Sequence, residues 1–508
     1  MSDPRRETVS GPAGLSSAAA LTATPRVVVV GAGIAGLAAA TGLAERGVDV
    51  DLIERNPYLG GRVGGWTESL PDGTNVPMNR GFHAFFRQYY NLRSMLRRVD
   101  PELGMLTPVD DYPLVDAQGR KDTFRGLPLA PPFNALAFAL RSPTFRMRDL
   151  VRLNAGAAAP LAAVSVPDIY DRLDHCDADS FLRDINFPEA ARHLAFEVFS
   201  RSFFAEPSEL SAAELAAMFH IYFLGSREGL IFDVANANFD VALWNPLAKY
   251  LESIGVRIHP GTAVSHIDVD QRFSVRCDDD TRLDADGVVL ATDVAGLQRI
   301  VADSPNLGDD DWRKRVGALG VAPAFVVHRL WLDRKVNPDR APFLGTGGRP
   351  PLDNVSVLER YEREAADWSW RNDGSVVELH SYAVMAPDAD LRDRLLQRLR
   401  ELYPETVDAQ VLHEKVLCRN DCPRFAPGDF ADRPGVTTPH DALMLAGDGI
   451  RIDMPVALME RAATTGWSAA NQLLERFGIE GHALQSVPNR GRIAVVSRLA
   501  ERRGVMQR

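Results

Sequence analysis

One short segment constrains this chain more than any other. Val27 to Val30 is an unbroken β-branched run, and Gly31-Ala32-Gly33-Ile34-Ala35-Gly36 follows it directly. Such a run suits a strand buried on both faces of a parallel sheet. Leu37 to Arg46 then reads as a helix of small residues ended by Gly47, and Val48 to Ile53 as a second strand with Glu54 at its tip. Strand, glycine turn, helix and strand together give a G-x-G-x-x-G motif its meaning. Glycines here allow the tight turn, let backbone reach a diphosphate, and let helix pack on strand. Gly31, Gly33, Ala35 and Gly36 are thus candidate diphosphate contacts, facing the positive end of the helix dipole. Glu54, with Arg55 beside it, lies about 20 residues on, where a carboxylate accepts hydrogen bonds from a ribose. An acid at that place disfavours a 2′-phosphate, and with it NADP.

The rest of the chain is organised around this unit. Residues 1–25 are rich in Ser, Ala, Gly and Pro, with no apolar period long enough to bury anything, and are expected to be a disordered leader. The Arg5-Arg6 pair precedes a stretch too poor in Leu and Ile for an export signal. Segments of dinucleotide-binding type fall at 26–101, 245–300 and 436–480. Between them, 102–244 reads as mostly helical, including Leu210 to Leu224, and 301–435 as strand-rich. Strand candidates there are Ala324 to Leu332, Val355 to Leu358 and Ser375 to Leu379, with a helix at Asp390 to Leu402. Gly345-Thr346-Gly347-Gly348 is followed by Arg-Pro-Pro and reads as a loop, not a second dinucleotide site. Residues 481–508 form a basic tail. The expected fold is α/β: a discontinuous Rossmann-like domain with an inserted α+β substrate domain and a helical subdomain.

Charge and cysteine usage narrow the class. Among 508 residues, 68 acidic against 57 basic side chains give a net charge of -11, which argues against a nucleic-acid partner held by overall charge. Four cysteines, Cys176, Cys277, Cys418 and Cys422, are too few for a disulfide scaffold and imply a reducing compartment. Cys418 and Cys422 lack C-x-x-C spacing and have no paired histidines, so no metal site is expected. No apolar run approaches the roughly 18–20 residues of a spanning helix.

Leu59-Gly60-Gly61-Arg62-Val63-Gly64-Gly65-Trp66 follows the Glu54 strand directly. Gly60 and Gly61 permit close backbone approach, and Arg62 supplies a fixed cation for a phosphate. This segment resembles the second glycine-arginine motif of the flavin amine oxidase and carotenoid desaturase superfamily. Gly261-Thr262-Ala263-Val264 is similar to the place where that family pairs backbone with the adenine edge. Leu445-Ala446-Gly447-Asp448, then Pro455 and Leu458 to Gly466, is similar to its closing motif. The resemblance implies FAD as cofactor, with Gly61, Arg62, Val264, Gly447, Asp448 and Met459 joining the first motif in holding it. It places Asp448 on the ribityl chain and a helix from about Pro455 to Leu474 with its N-terminus toward the flavin N1–C2=O edge. A positive helix end there favours the anionic reduced flavin. Without a second dinucleotide site, reoxidation falls to an external electron acceptor, oxygen or a quinone.

Longer blocks are more specific. Asn79 to Leu92, Phe196 to Ala205, Phe219 to Ser226 and Val456 to Gly466 resemble the isorenieratene synthase family of bacterial β-carotene desaturase/methyltransferases, within a similarity spanning about residues 26 to 492. The resemblance implies that the β-ionone rings of β-carotene become aromatic, one geminal methyl moving to the neighbouring carbon. Two successive two-electron oxidations are needed, and a flavin is the sole redox part required. The methyl stays on the substrate, so S-adenosylmethionine has no part. Desaturation or isomerisation of an acyclic carotene is the alternative within enzymes, and a flavin-bound carotenoid carrier the alternative outside them. His83, among Phe82, Phe85, Phe86, Tyr89 and Tyr90, is the first candidate for a base or for positioning the ring, and Glu460 the second. Aromatic faces in that cluster suit a cationic ring. His220, in an apolar helix-like run, reads as structural.

A carotenoid dissolves in a bilayer, so its enzyme needs a surface to collect it from. Leu127 to Leu140 is apolar but short and broken by proline, and Arg141, Arg146, Arg148 and Arg152 follow. That arrangement suits an interfacial anchor with arginines at the headgroups. Arg490, Arg492, Arg498, Arg502, Arg503 and Arg508 offer a second basic patch. The expected location is cytoplasmic, peripheral to the inner face of the cell membrane.

Overall fold

The computed structural model describes residues 3–70, 73–145, 147–192, 201–385 and 388–491. The β-branched run forms the strand Arg26–Val30, the middle of a five-stranded sheet. In spatial order the strands are Arg257–Pro260, Asp49–Glu54, Arg26–Val30, Gly287–Leu290 and Leu443–Leu445, parallel throughout. Val27, Val28 and Val29 are fully buried because both faces of the sheet are covered. Asp51 ties the edge strand in, its carboxylate accepting from Arg26, Arg257 and His259 at 2.8–2.9 Å.

The helix after the glycine turn, Ile34–Ala44, is buried along its whole length. Its small residues let the helix Leu458–Arg476 cross it at close range. A Cβ built on Gly466 would lie 2.1 Å from the Ala35 carbonyl oxygen, and one on Gly42 2.9 Å from the Ala470 Cβ.

A seven-stranded sheet faces the parallel one across a deep cavity. Its order is Val411–Arg419, Ala324–Leu332, Ser375–Val384, Asn354–Val357, Phe343–Thr346, Leu114–Val115, Lys121–Asp122. Period two sorts its side chains. Val326, Leu330, Val355, Val377 and Leu379 pack under the helix Leu391–Leu402, while Phe325, Arg329, Glu378, His380 and Tyr382 lie on the other face.

Several expectations are corrected. Residues 3–25 are not a loose leader: Glu7–Val9 pairs antiparallel with Leu484–Ser486, and the Asp3 carboxylate accepts from the Arg227 N–H at 2.5 Å. Gly11 and Gly14 lie so close to the 478–482 backbone that a Cβ on either would come within 2.6 Å of it. Small residues that read as disorder are contact surface. Gly345 and Thr346, read as loop, belong to the strand Phe343–Thr346 because its neighbours supply the ladder. The last long helix begins at Leu458, three residues after Pro455, since Ala457 is extended (φ -144°) and Leu458 sits at φ +53°. The stretch 102–244 also carries strands, including Leu106–Pro108 and Phe232–Ala235. Phe196 to Ser200 and the arginines of 492–508 lie outside the described residues.

Candidate functional site

A cavity of about 410 Å³ runs from the carboxyl ends of the parallel strands to the polar face of the large sheet. Its first end is built by glycines. Gly31 holds φ +101°, and a Cβ there would lie 2.5 Å from the Ala291 carbonyl oxygen. Gly36 lies under Gly31, whose carbonyl oxygen would be 1.8 Å from an added Cβ. Gly33, by contrast, faces open space, with the Gly61 Cα at 3.9 Å as the nearest atom to a built Cβ. Gly31, Gly33 and Ala35 line the cavity; Gly36 stands behind it. The bare Gly33 and Gly61 backbone is what a diphosphate requires.

Glu54 lines the same end, but its carboxylate is already engaged. Oε2 accepts from the Ala32 N–H at 2.8 Å and Oε1 from the Asn56 N–H and Nδ2 at 2.8 Å. It therefore fixes the glycine turn, in addition to facing the cavity. Arg55 pairs with Asp293 at 2.6 Å on the rim. Val264 begins the strand Val264–Val269, lines the cavity, and accepts from Arg299 Nη2 at 3.1 Å through its carbonyl.

Arg62 and Asp448 form an ion pair across the cavity floor. Burial works against the charged guanidinium, yet Asp448 outweighs it and holds the Arg62 pKa well above the usual arginine range. Gly447, at φ +151°, lines the floor beside them, and Met459 and Ala462 present the first turn of the Leu458–Arg476 helix. An uncovered glycine backbone, a fixed cation and a helix start suit a flavin dinucleotide in donor chemistry and shape.

The second end is aromatic. Phe82, Phe86, Tyr89, Tyr112 and Phe232 line it together with His83. Phe85 and Tyr90 do not: Phe85 is fully buried in the core and the Tyr90 hydroxyl meets Ser226 Oγ at 3.2 Å. His83 is half-buried and donates Nδ1–H to the Gly81 carbonyl at 2.8 Å, which leaves the Nε2 lone pair free of that bond. Burial, reinforced by Arg80, His380 and Arg62, pushes its pKa down to about 4 against the pull of the Gly81 bond. The ring is thus neutral at physiological pH.

Glu460 is corrected as a catalytic candidate. It is not among the residues that line the cavity, and its two oxygens accept from the Asn91 and Leu92 N–H groups at 2.8 and 3.0 Å, capping the helix Tyr90–Leu96. Burial pushes its carboxyl up to about 8 although both bonds favour the charged form. It does not pair with Arg461, which joins Arg433 on the buried Glu214. His220 is fully buried and bonded to the Pro488 carbonyl at 2.8 Å.

Sequence reading missed Asn354, His380 and Tyr382, which line the cavity opposite His83, and Glu378 behind them. The signal was present as period two: Glu378, His380 and Tyr382 alternate with Val377, Leu379 and the small Ser381 on the strand Ser375–Val384. Ending that strand at Leu379 hid the stripe.

Glycine turn, cation, helix end and aromatic chamber define a flavoprotein oxidoreductase. A family model described as flavin containing amine oxidoreductase matches residues 34–474, and the chain belongs to that family: it is an FAD-dependent oxidoreductase. Among curated proteins it is 57% identical over 480 residues to a carotenoid phi-ring synthase of Streptomyces griseus, covering 94% of this chain and 93% of the relative. A carotenoid phi-ring synthase of Chlorobaculum tepidum is 28% identical over 617 residues, covering 96% and 94%. Among solved structures, cyclohexylamine oxidase from Brevibacterium oxydans superposes with a TM-score of 0.66 at 17% identity, covering 90% of this chain and all of the other, a likeness of fold.

Proposed function

We propose that this protein aromatises the β-ionone rings of β-carotene, with a 1,2-methyl shift, to give an isorenieratene-type product. The observation that carries the reading is the continuity of the cavity, which joins the glycine and Arg62 cradle to an aromatic chamber. The names of the relatives supply the substrate class. When bound, FAD supplies the oxidising chemistry, accepting a hydride equivalent from the ring. Gly31, Gly33 and Ala35 would hold its diphosphate, Glu54, Arg55 and Val264 its adenosine side, and Gly61, Arg62, Gly447, Asp448 and Met459 its flavin side. Phe82, Phe86, Tyr89 and Phe232 exclude water and face a cationic ring with π clouds. His83, held neutral, positions that ring. Electrons leave to an external acceptor, oxygen or a quinone.

The substrate arrives from a membrane face. On the helix Phe133–Arg141, Phe133, Leu136 and Leu140 are exposed, as is the neighbouring Leu129, and Arg141 follows them. No helix among the described residues is long and apolar enough to cross a membrane. From the buried Phe138 of that helix, rings step inward through Phe124 (4.8 Å), Tyr112 (4.3 Å) and Phe232 (4.7 Å) to the chamber wall. This supports an interfacial anchor at the inner face of the cell membrane.

Product analysis with purified protein and vesicles carrying either β-carotene or lycopene tests the reading. Aromatic-ring product from β-carotene is expected. Product from lycopene alone overturns it in favour of an acyclic desaturase, and flavin that stays oxidised with every carotene favours a carrier.

A further inference from the structure

On the face of the large sheet that walls the chamber, three side chains of one strand form a chain of hydrogen bonds. The Tyr382 hydroxyl lies 2.8 Å from His380 Nδ1, and His380 Nε2 lies 2.8 Å from Glu378 Oε1. Glu378 is closed off behind by the fully buried Arg329, which donates to Oε2 through Nε at 2.9 Å and completes the ion pair with Nη2 2.8 Å from the same oxygen. Burial pushes the Glu378 carboxyl up, but Arg329 and His380 outweigh it and hold it at about 2. An ionised carboxylate only accepts, so His380 Nε2 carries a proton, and in the neutral ring Nδ1 accepts from the Tyr382 hydroxyl. Asn354 Nδ2 donates to the Tyr382 oxygen at 3.0 Å, and Asp353 holds the Tyr382 N–H at 2.6 Å, so phenol and backbone are both fixed. Tyr382 and His380 open onto the chamber, and Gly81, two residues before His83, sits against His380 so closely that a Cβ would fall 2.6 Å from its Cε1.

We propose that Tyr382 takes the proton that the substrate ring must lose, with His380 and Glu378 as positioning residues that receive and stabilise it. This rests on the ring-aromatising reading above. Once the ring has given up a hydride equivalent and the methyl has moved, the ring carries one positive charge next to a C–H bond. That C–H bond breaks and its electron pair becomes the new ring double bond. The proton passes to the Tyr382 oxygen as the phenolic proton passes to His380 Nδ1. The ring ends neutral and His380 ends as an imidazolium facing the Glu378 carboxylate. Burial raises the Tyr382 pKa, so a phenolate does not accumulate and the two transfers occur together. His83 is the weaker acceptor, because burial, with Arg80 and Arg62 nearby, already disfavours a proton there.

The experiment compares Tyr382→Phe and His380→Gln with wild-type holoprotein, offered β-carotene in vesicles. Both variants are expected to keep bound FAD and to bleach the flavin band anaerobically. Aromatic product is expected to fall at least about 100-fold in kcat, with KM unchanged, the scale of a lost general base. In histidine-¹⁵N holoprotein, one ring is expected with Nε2 protonated and Nδ1 accepting, and its Nδ1 signal moves in Tyr382→Phe. Tyr382→Phe within threefold of wild type overturns the proposal, as does loss of FAD in that variant or the absence of such an Nδ1 acceptor. A wild type that β-carotene does not bleach overturns the functional reading as well, whereas an active wild type beside an equally active Tyr382→Phe overturns this step alone.

Discussion

At Gly36 a methyl group has nowhere to go, because the Gly31 carbonyl oxygen would lie 1.8 Å from it. Gly36→Ala must push the first helix off its strand, and overpacking of this kind costs about 1–3 kcal/mol. Urea titration is expected to show that loss, with less FAD retained per folded molecule. Glu460 teaches the opposite lesson. Its carboxyl group caps the helix Tyr90–Leu96, so Glu460→Ala is expected to lower stability by about 0.5–2 kcal/mol, the range for a lost cap, and to leave FAD content and turnover per folded molecule unchanged. His83→Ala reverses that pattern: thermal stability and FAD stay, and turnover of β-carotene falls at least about tenfold as the ring loses its neutral wall, on the scale of a 1.4 kcal/mol misplacement.

Between elements, two contacts brace the parallel sheet and its first helix. One is the helix crossing at Gly466, where small residues were legible in the sequence but their use as a close approach was not. The other is Asp51, which joins the middle strand to the edge strand through Arg26, Arg257 and His259. Burial opposes its charge, but these hydrogen bonds hold its carboxyl well below the usual aspartate range. A depressed carboxylate contributes stability above its unfolded pKa and loses it as pH falls through the folded one. Asp51→Asn is therefore expected to cost about 2 kcal/mol at pH 7, as charge-assisted bonds are lost. Denaturant titrations at successively lower pH are expected to show the gap between variant and wild type begin to close only below about pH 4, where the unfolded carboxyl protonates, and close fully only as the much lower folded-state pKa is passed.

Across the molecule, exposed apolar surface and the chamber stand in line through the Phe138 to Phe232 rings. Replacing Phe133, Leu136 and Leu140 by serine removes three exposed apolar groups, each contributing about 1 kcal/mol on partial insertion. Vesicle flotation is expected to show binding weakened by roughly 100-fold, with FAD content unchanged. Local pattern was enough to read the Rossmann unit, because Val27 to Val30 and Gly31 to Gly36 set strand, turn and helix within neighbouring residues. The Arg62 segment and Gly447-Asp448 were legible for the same reason, each motif being contiguous. Tertiary structure alone brought Asp448 onto Arg62, set Glu460 under a helix instead of on the cavity, and paired residues 7–9 with 484–486. It alone also set His380 and Tyr382 on the chamber with Glu378 behind them. Those outcomes depend on which face of an element is covered and by what, and a side chain's neighbours across the fold are fixed by packing between segments, not by the residues next to it in the chain.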